Sequence, residues 1–229
     1  MTIGILALQG AFAAHARALE RLGAAPCAAG AHPGGQELFW KYVSRAQDFD
    51  GLDGLILPGG ESTTMLKLLQ EEGCWEQLLA FVQTRPVLGT CAGAILLSRE
   101  VTHPAQLSLG VLDATIVRNA YGRQVDSSIR QGNWLPAPES AQQLEMVFIR
   151  APQFSRLGTG VRVLAQEGEL PVAVQQGQVM AATFHPELSS DLRVHAHFID
   201  LVRSSTPPLT NQSLFSASAS TPGCSPGSS

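Results

Sequence analysis

Basic clusters, long apolar runs and paired-cysteine motifs are all missing from this sequence, and each absence removes a class of function. The 15 Lys and Arg are outnumbered by 19 Asp and Glu, giving a formal net charge of −4. A mildly acidic chain without a basic stripe offers no electrostatic footprint for nucleic acid. No apolar stretch reaches the length needed to span a bilayer, so no membrane partner is expected. The four cysteines, Cys27, Cys74, Cys91 and Cys224, are sparse and unpatterned across 229 residues, which argues against a disulfide framework. No Cys-x-x-Cys pair suggests a zinc or thioredoxin-like site. Met1 to Gln9 carries no basic n-region and no signal cleavage site and reads as a first core strand, so a cytoplasmic location is the expectation.

What is present is an alternation of strand-like and helix-like runs. A chain of 229 residues, 45% of them hydrophobic, supports one α/β domain with a full core, and two domains would be cramped. Ile3 to Leu8, Leu52 to Leu57 and Pro86 to Gly89 are short apolar runs suited to buried strands. Helical periodicity is read over Phe12 to Leu22, with Gly23 as a stop. It recurs from Ser62 as N-cap to Gly73, over Trp75 to Val82 and over Ala94 to Leu97. Beyond Leu109 the texture turns to strands at 114–118, 145–149, 162–167, 171–175 and 178–184, and a last helix is read over 191–202. This pattern predicts a mostly parallel central sheet with helices on both faces, extended by antiparallel strands. Ala28 to Tyr42 lacks periodicity and reads as an irregular excursion. Ser204 to Ser229 is rich in Ser, Pro and Thr, so the expected division is a domain over 1–203 and a disordered tail over 204–229.

Three segments carry chemistry. Gly89-Thr90-Cys91-Ala92-Gly93 lies between an apolar strand and an apolar helix. A nucleophile on a tight strand-to-helix turn needs small neighbours, and a helix N-terminus favours thiolate over thiol. The plain alternative is a small buried hydrophobe, which free cysteines usually are. Phe184-His185-Pro186-Glu187 ends a predicted strand. Residues two apart in extended chain share a side, so Glu187 can orient the His185 imidazole while its other nitrogen serves a thiol. Alone this is a commonplace tripeptide; with Cys91 it completes a nucleophile, base and orienter. Pro58-Gly59-Gly60-Glu61-Ser62-Thr63-Thr64 also follows a strand and opens a helix, a place for a developing oxyanion. No Gly-Lys-Ser/Thr follows, which argues against a phosphate loop, while a purely structural turn stays open.

The remaining histidines carry less. His195 and His197, two apart in a helix, do not share a face, so no metal pair is expected. His15, His32 and His103 have no partner visible in sequence. Trp40, Trp75 and Trp134 read as packing residues.

Pro-Gly-Gly-Glu-Ser-Thr-Thr, Gly-Thr-Cys-Ala-Gly and Phe-His-Pro-Glu, in this order, resemble the class I (triad) glutamine amidotransferases. Leu6-Ala-Leu-Gln-Gly10, Arg118-Asn-Ala-Tyr-Gly-Arg-Gln124 and Phe148-Ile-Arg-Ala-Pro152 narrow the likeness to glutaminase subunits of pyridoxal 5′-phosphate synthases, over most of 1–203. The resemblance implies release of ammonia from L-glutamine through Cys91, His185 and Glu187, without cofactor or metal. It implies an oxyanion hole from the Gly60 and Ala92 N–H groups. It places Gly60, Glu61, Ser62, Arg118, Ile149 and Arg150 around the glutamine head group. It implies a hetero-oligomeric partner, the synthase subunit, whose docking near Gln9-Gly10 and Gly59-Gly60 selects the productive peptide orientation. Ala28–Tyr42 is longer than the family pattern, and the tail from Ser204 has no counterpart in it. The alternatives are another triad amidotransferase or γ-glutamyl hydrolase, or a non-catalytic module that keeps the fold.

Overall fold

The computed structural model describes residues 1–27, 37–118, 120, 127–138 and 142–205. In chain order they form β1 (Thr2–Leu6), α1 (Phe12–Arg21), β2 (Ala25–Pro26), β3 (Phe39–Val43) and β4 (Gly54–Leu57). There follow α2 (Ser62–Glu71), α3 (Trp75–Thr84), β5 (Val87–Thr90), α4 (Ala92–Leu97), β6 (Ser98–Thr102) and β7 (Leu112–Val117). The C-terminal half adds β8 (Ser127–Trp134), β9 (Gln143–Ile149), β10 (Gln153–Leu157), β11 (Arg162–Glu167), β12 (Leu170–Gln176), β13 (Val179–Ala182) and α5 (Arg193–Ser205).

The main sheet runs β2-β3-β1-β4-β5-β13-β12-β11-β8-β9. Its first six strands are parallel and the step from β13 to β12 begins an antiparallel half. A smaller sheet, β10-β7-β6, lies apart. This is the expected α/β architecture. Strand alternation explains the layers: in β4, Leu55 and Leu57 join the core cluster that includes α2, α3 and α4, while Ile56 joins the one under α1 and α5. Phe184 and Phe198 are fully buried in the second cluster. Each contributes about 1.5–3 kcal/mol by leaving water. Gly54 lets α5 approach, since a Cβ there would stand 2.6 Å from Val202 Cγ2.

Several expectations need correction. The 28–42 excursion ends in a real strand: β3 pairs in parallel with β1, and its Phe-Trp-Lys-Tyr-Val composition suits a sheet. Pro33-Gly34-Gly35 obscures that signal in the sequence; 28–36 lies outside the described residues. Strands β6, β8 and β10 are further elements that the sequence pattern does not announce. The N-cap of α2 is Glu61, whose side chain accepts from the Thr63 N–H, and Ser62 is already helical. Strand β13 ends at Ala182, and Pro186–Leu188 forms a 3₁₀ turn. Helix α5 runs to Ser205, two residues past the expected domain boundary, and 206–229 lies outside the described residues. Trp40, Trp75 and Trp134 pack in or against the two clusters.

Candidate active site

Cys91 is the single residue between β5 and α4, held at φ 47° and ψ −99°. A non-glycine residue in this region costs on the order of 1–3 kcal/mol and persists only because its surroundings enforce it. Here the Cys91 N–H donates to Ala182 O (2.8 Å), tying the turn to β13, and α4 is buried along its whole length. Gly93 lets that helix sit on β4, because a Cβ would come within 2.2 Å of Leu57 O. The first-turn N–H groups of α4, Ala92 among them, have no intrahelical acceptor.

His185 stands beside Cys91. Its Nδ1 is 2.7 Å from Glu187 Oε1, both groups buried, and its ring and Cys91 both border the space in front of Gly59. The pair meets for a reason other than strand alternation: His185 has φ −106° and ψ 82°, and the turn at Pro186–Leu188 brings the Glu187 carboxylate back under the ring. Burial disfavours the imidazolium, but the hydrogen bonds and charges of Cys91 and Glu187 outweigh it and hold the His185 pKa up at about 10. Burial likewise works against the Glu187 anion, yet His15 and His185 keep its pKa below the usual carboxylate value.

Gly59 leaves the space in front of these groups open, since a Cβ would lie 2.3 Å from His185 Cε1 and 3.3 Å from Cys91 Cβ. Its carbonyl accepts from the Ala11 N–H at 2.9 Å. The Gly60 N–H, in the same planar peptide, therefore points the other way. Gly10 permits this closeness with φ +89°, because a Cβ there would sit 2.0 Å from Gly59 O. The Gln9 amide brackets Glu61, accepting from its N–H (3.3 Å) and donating to its carbonyl (3.1 Å).

A cavity of about 370 Å³ opens over Cys91 and His185 and is also lined by Gly60, Glu61, Ser62, Arg118, Ile149 and Arg150. The structure thus brings together nearly every residue singled out in the sequence. Ala92 and Glu187 do not line the cavity: Ala92 opens α4 directly after Cys91, and Glu187 reaches the site through His185. Arg118 donates to Glu61 Oε1 (3.0 Å) and lies mostly buried. Although burial opposes it, the bonds from Thr63 and the charges of Arg118 and Arg150 lower the Glu61 pKa. Arg150 has φ 42° at the end of β9. Ser62 Oγ donates to Gln106 Oε1 (2.8 Å). Cation and carboxylate side by side suit a zwitterionic ligand of small size. Asn119 and 121–124 of the Arg118–Gln124 motif lie outside the described residues.

Sequence reasoning missed Gln9 and Ile95 as walls of the site, Gln106 as the partner of Ser62, and His15 behind it. Helical spacing could have placed Ile95 one turn from Cys91, but no local pattern joins His15 to a glutamate 172 positions away. No group of His, Cys, Asp and Glu suited to a metal ion occurs among the described residues.

A model of the SNO glutamine amidotransferase family matches residues 5–204. The chain belongs to that family. It is 48% identical over 200 residues to the pyridoxal 5′-phosphate synthase subunit PdxT of Solibacter usitatus, covering 86% of this chain and 97% of that protein. It is also 48% identical over 204 residues to the PdxT subunit of Koribacter versatilis, covering 89% and 96%. Among solved structures, a crystal structure of a glutamine amidotransferase superposes with TM-score 0.74 at 45% identity, covering 88% of this chain and 98% of that one. A glutamine amidotransferase from Thermotoga maritima shares the fold at TM-score 0.52 and 12% identity, covering 89% and 85%. Membership in an amidotransferase family accords with the elbow, the imidazole–carboxylate pair and the cavity they share. No helix among the described residues is long and apolar enough to cross a membrane.

Proposed function

We propose that the protein hydrolyses L-glutamine to L-glutamate and ammonia, and that it hands the ammonia to a synthase subunit that makes pyridoxal 5′-phosphate. The observation that carries the reading is the strained Cys91 at a helix N-terminus, sharing with a His185 that Glu187 holds at 2.7 Å one cavity that also bears Arg118 and Glu61.

Arg118 and Arg150 supply cations for the substrate α-carboxylate, and Glu61 supplies an acceptor for its ammonium. Cys91 Sγ attacks the carboxamide carbon, and the C=O electron pair moves onto oxygen. The Ala92 and Gly60 N–H groups face that oxyanion; one such donor is worth about 10²–10³ in turnover. His185 gives its proton to the amide nitrogen, the C–N bond breaks, and ammonia leaves a γ-glutamyl thioester. His185, now neutral, takes a proton from water as the water attacks the thioester, and glutamate departs with Cys91 restored. The Gly59–Ala11 bond supports the productive peptide orientation, because a carbonyl turned inward would have to break it. Docking of the synthase subunit near Gln9-Gly10 and Gly59-Gly60 stabilises that orientation, and the reaction belongs in the cytoplasm.

The test is ammonia release and covalent labelling by a glutamine-analogue electrophile, with and without the cognate synthase subunit. Cys91→Ala should lose both by orders of magnitude while keeping the wild-type melting temperature within a few degrees. Near-normal turnover in Cys91→Ala would overturn the triad, and full activity without the synthase would overturn the coupling.

A further inference from the structure

Two fully buried histidines stand behind the site, on the helices that cover one face of the sheet. His15 of α1 has its Nε2 3.4 Å from Glu187 Oε2 and 3.1 Å from Thr90 Oγ1, and its Nδ1 is 2.9 Å from His195 Nε2 of α5. Glu187 Oε2 and His195 Nδ1 have no conventional hydrogen-bond partner, although both are buried.

We propose that His15 is a positioning residue of the glutaminase reaction, its neutral Nε2–H directed at the second oxygen of Glu187 and its tautomer set by His195. This inference rests on the triad reading above.

The tautomer follows from counting donors. If His15 carried its hydrogen on Nδ1, its Nε2 lone pair would face a carboxylate. His195 would then hold its own hydrogen on Nδ1, a buried donor with no acceptor. If instead His195 Nε2–H donates to His15 Nδ1, then His15 Nε2–H points at Thr90 and Glu187. At His195 only the Nδ1 lone pair is then left unpaired, and no ring N–H is without an acceptor. The second arrangement strands no ring donor and turns an N–H rather than a lone pair toward the carboxylate.

Both rings stay neutral. Burial lowers the His15 pKa, with the Glu187 anion opposing and the His185 cation reinforcing it. Burial also takes His195 down to about 3, aided by His15 and Arg21 and opposed by Glu187. The neutrality has a purpose at this place. A Lys or Arg behind Glu187 would neutralise the charge that His185 needs, whereas an N–H dipole steadies the anion and leaves its charge available. Thr90, which shares the donor, is the residue immediately before Cys91, so the same contact links the elbow to the carboxylate.

The test compares His15→Gln, His15→Asn and His15→Leu in the complex with the synthase subunit, with Cys91→Ala as reference. A Gln amide nitrogen reaches about where Nε2 lies, and an Asn amide nitrogen only where Nδ1 lies. Leu and Asn should lower kcat about 10- to 100-fold with the glutamine KM within about twofold, while Gln keeps kcat within about fivefold of wild type. The acidic limb of the kcat profile should move toward neutral pH in Leu, because Glu187 protonates more readily. In the unsubstituted chain, long-range ¹H–¹⁵N spectra should show His15 as the neutral Nε2–H tautomer. Equal kcat losses in all three variants, no loss in any, or an Nδ1–H tautomer would each overturn the inference. If Cys91→Ala itself stays active, the triad reading fails rather than this one.

Discussion

Replacing Glu187 by Gln keeps the shape of the site and removes one charge, and the structure sets the size of the effect. The His185 pKa stands at about 10 rather than 6.5, which favours the imidazolium by roughly 5 kcal/mol. Cys91 and Glu187 supply that preference against burial. Losing the carboxylate charge weakens the charge-assisted His185–Glu187 hydrogen bond, worth about 1.5–3 kcal/mol, a factor of about 10–10² in rate. The amide adds a second cost. Its oxygen can face either the His185 Nδ1–H or the His15 Nε2–H, so its NH₂ meets the other donor, a buried mismatch of about 1–3 kcal/mol. The expected kcat loss is therefore about 10²–10⁴, with the glutamine KM little changed because Arg118 and Glu61 are untouched. Coupled detection of glutamate and ammonia at saturating glutamine, with the synthase subunit present, measures it; a kcat within about fivefold of wild type would refute the reasoning. The same pair sets a pH dependence. A pKa raised in the folded state stabilises fully below the unfolded value of 6.5, and the contribution disappears as pH rises through about 10. The lowered Glu187 pKa acts on the other side: its contribution is present above 4.5 and is lost as pH falls through the folded value. The stability gap between wild type and Glu187→Gln in urea should therefore narrow between about pH 7 and about pH 10, down to the mismatch that does not titrate, and a constant gap would contradict the assignment.

Arg118→Met removes a mostly buried cation from the cavity and should raise the glutamine KM about 10- to 100-fold while changing kcat less; steady-state kinetics with an unchanged KM would remove Arg118 from the substrate site. Gly93→Ala places a Cβ 2.2 Å from Leu57 O and must push α4 off β4, so the urea midpoint should drop by the equivalent of about 1–3 kcal/mol and turnover should fall with it. A variant as stable and as active as wild type would show that α4 moves without cost.

Local pattern sufficed wherever the physics is local. Short apolar runs between turn signals marked β1, β4 and β5, and helical periodicity with Gly23 and Gly73 as stops marked α1 and α2. Both glycines do adopt left-handed angles, φ +87° and +64°. The small residues around Cys91 signalled a tight elbow, and the proximity of His185 to Glu187 followed from their separation of two. The backbone that achieves it did not, because the choice between strand and 3₁₀ turn depends on where β13 loses its partners. Edge and interior strands were lost for the same reason. The aromatic composition of β3 becomes a parallel strand only because β1 lies beside it. The polar alternation of β8 is held by β9 and β11. What only the tertiary structure decided is which distant groups share one buried space: the Gly59 carbonyl against Ala11, Arg118 against Glu61, and above all His15 and His195 behind Glu187. Sequence separation says nothing about such contacts, since packing two helices on one sheet face joins residues 180 positions apart, and in that low-dielectric interior their tautomers and charges become coupled.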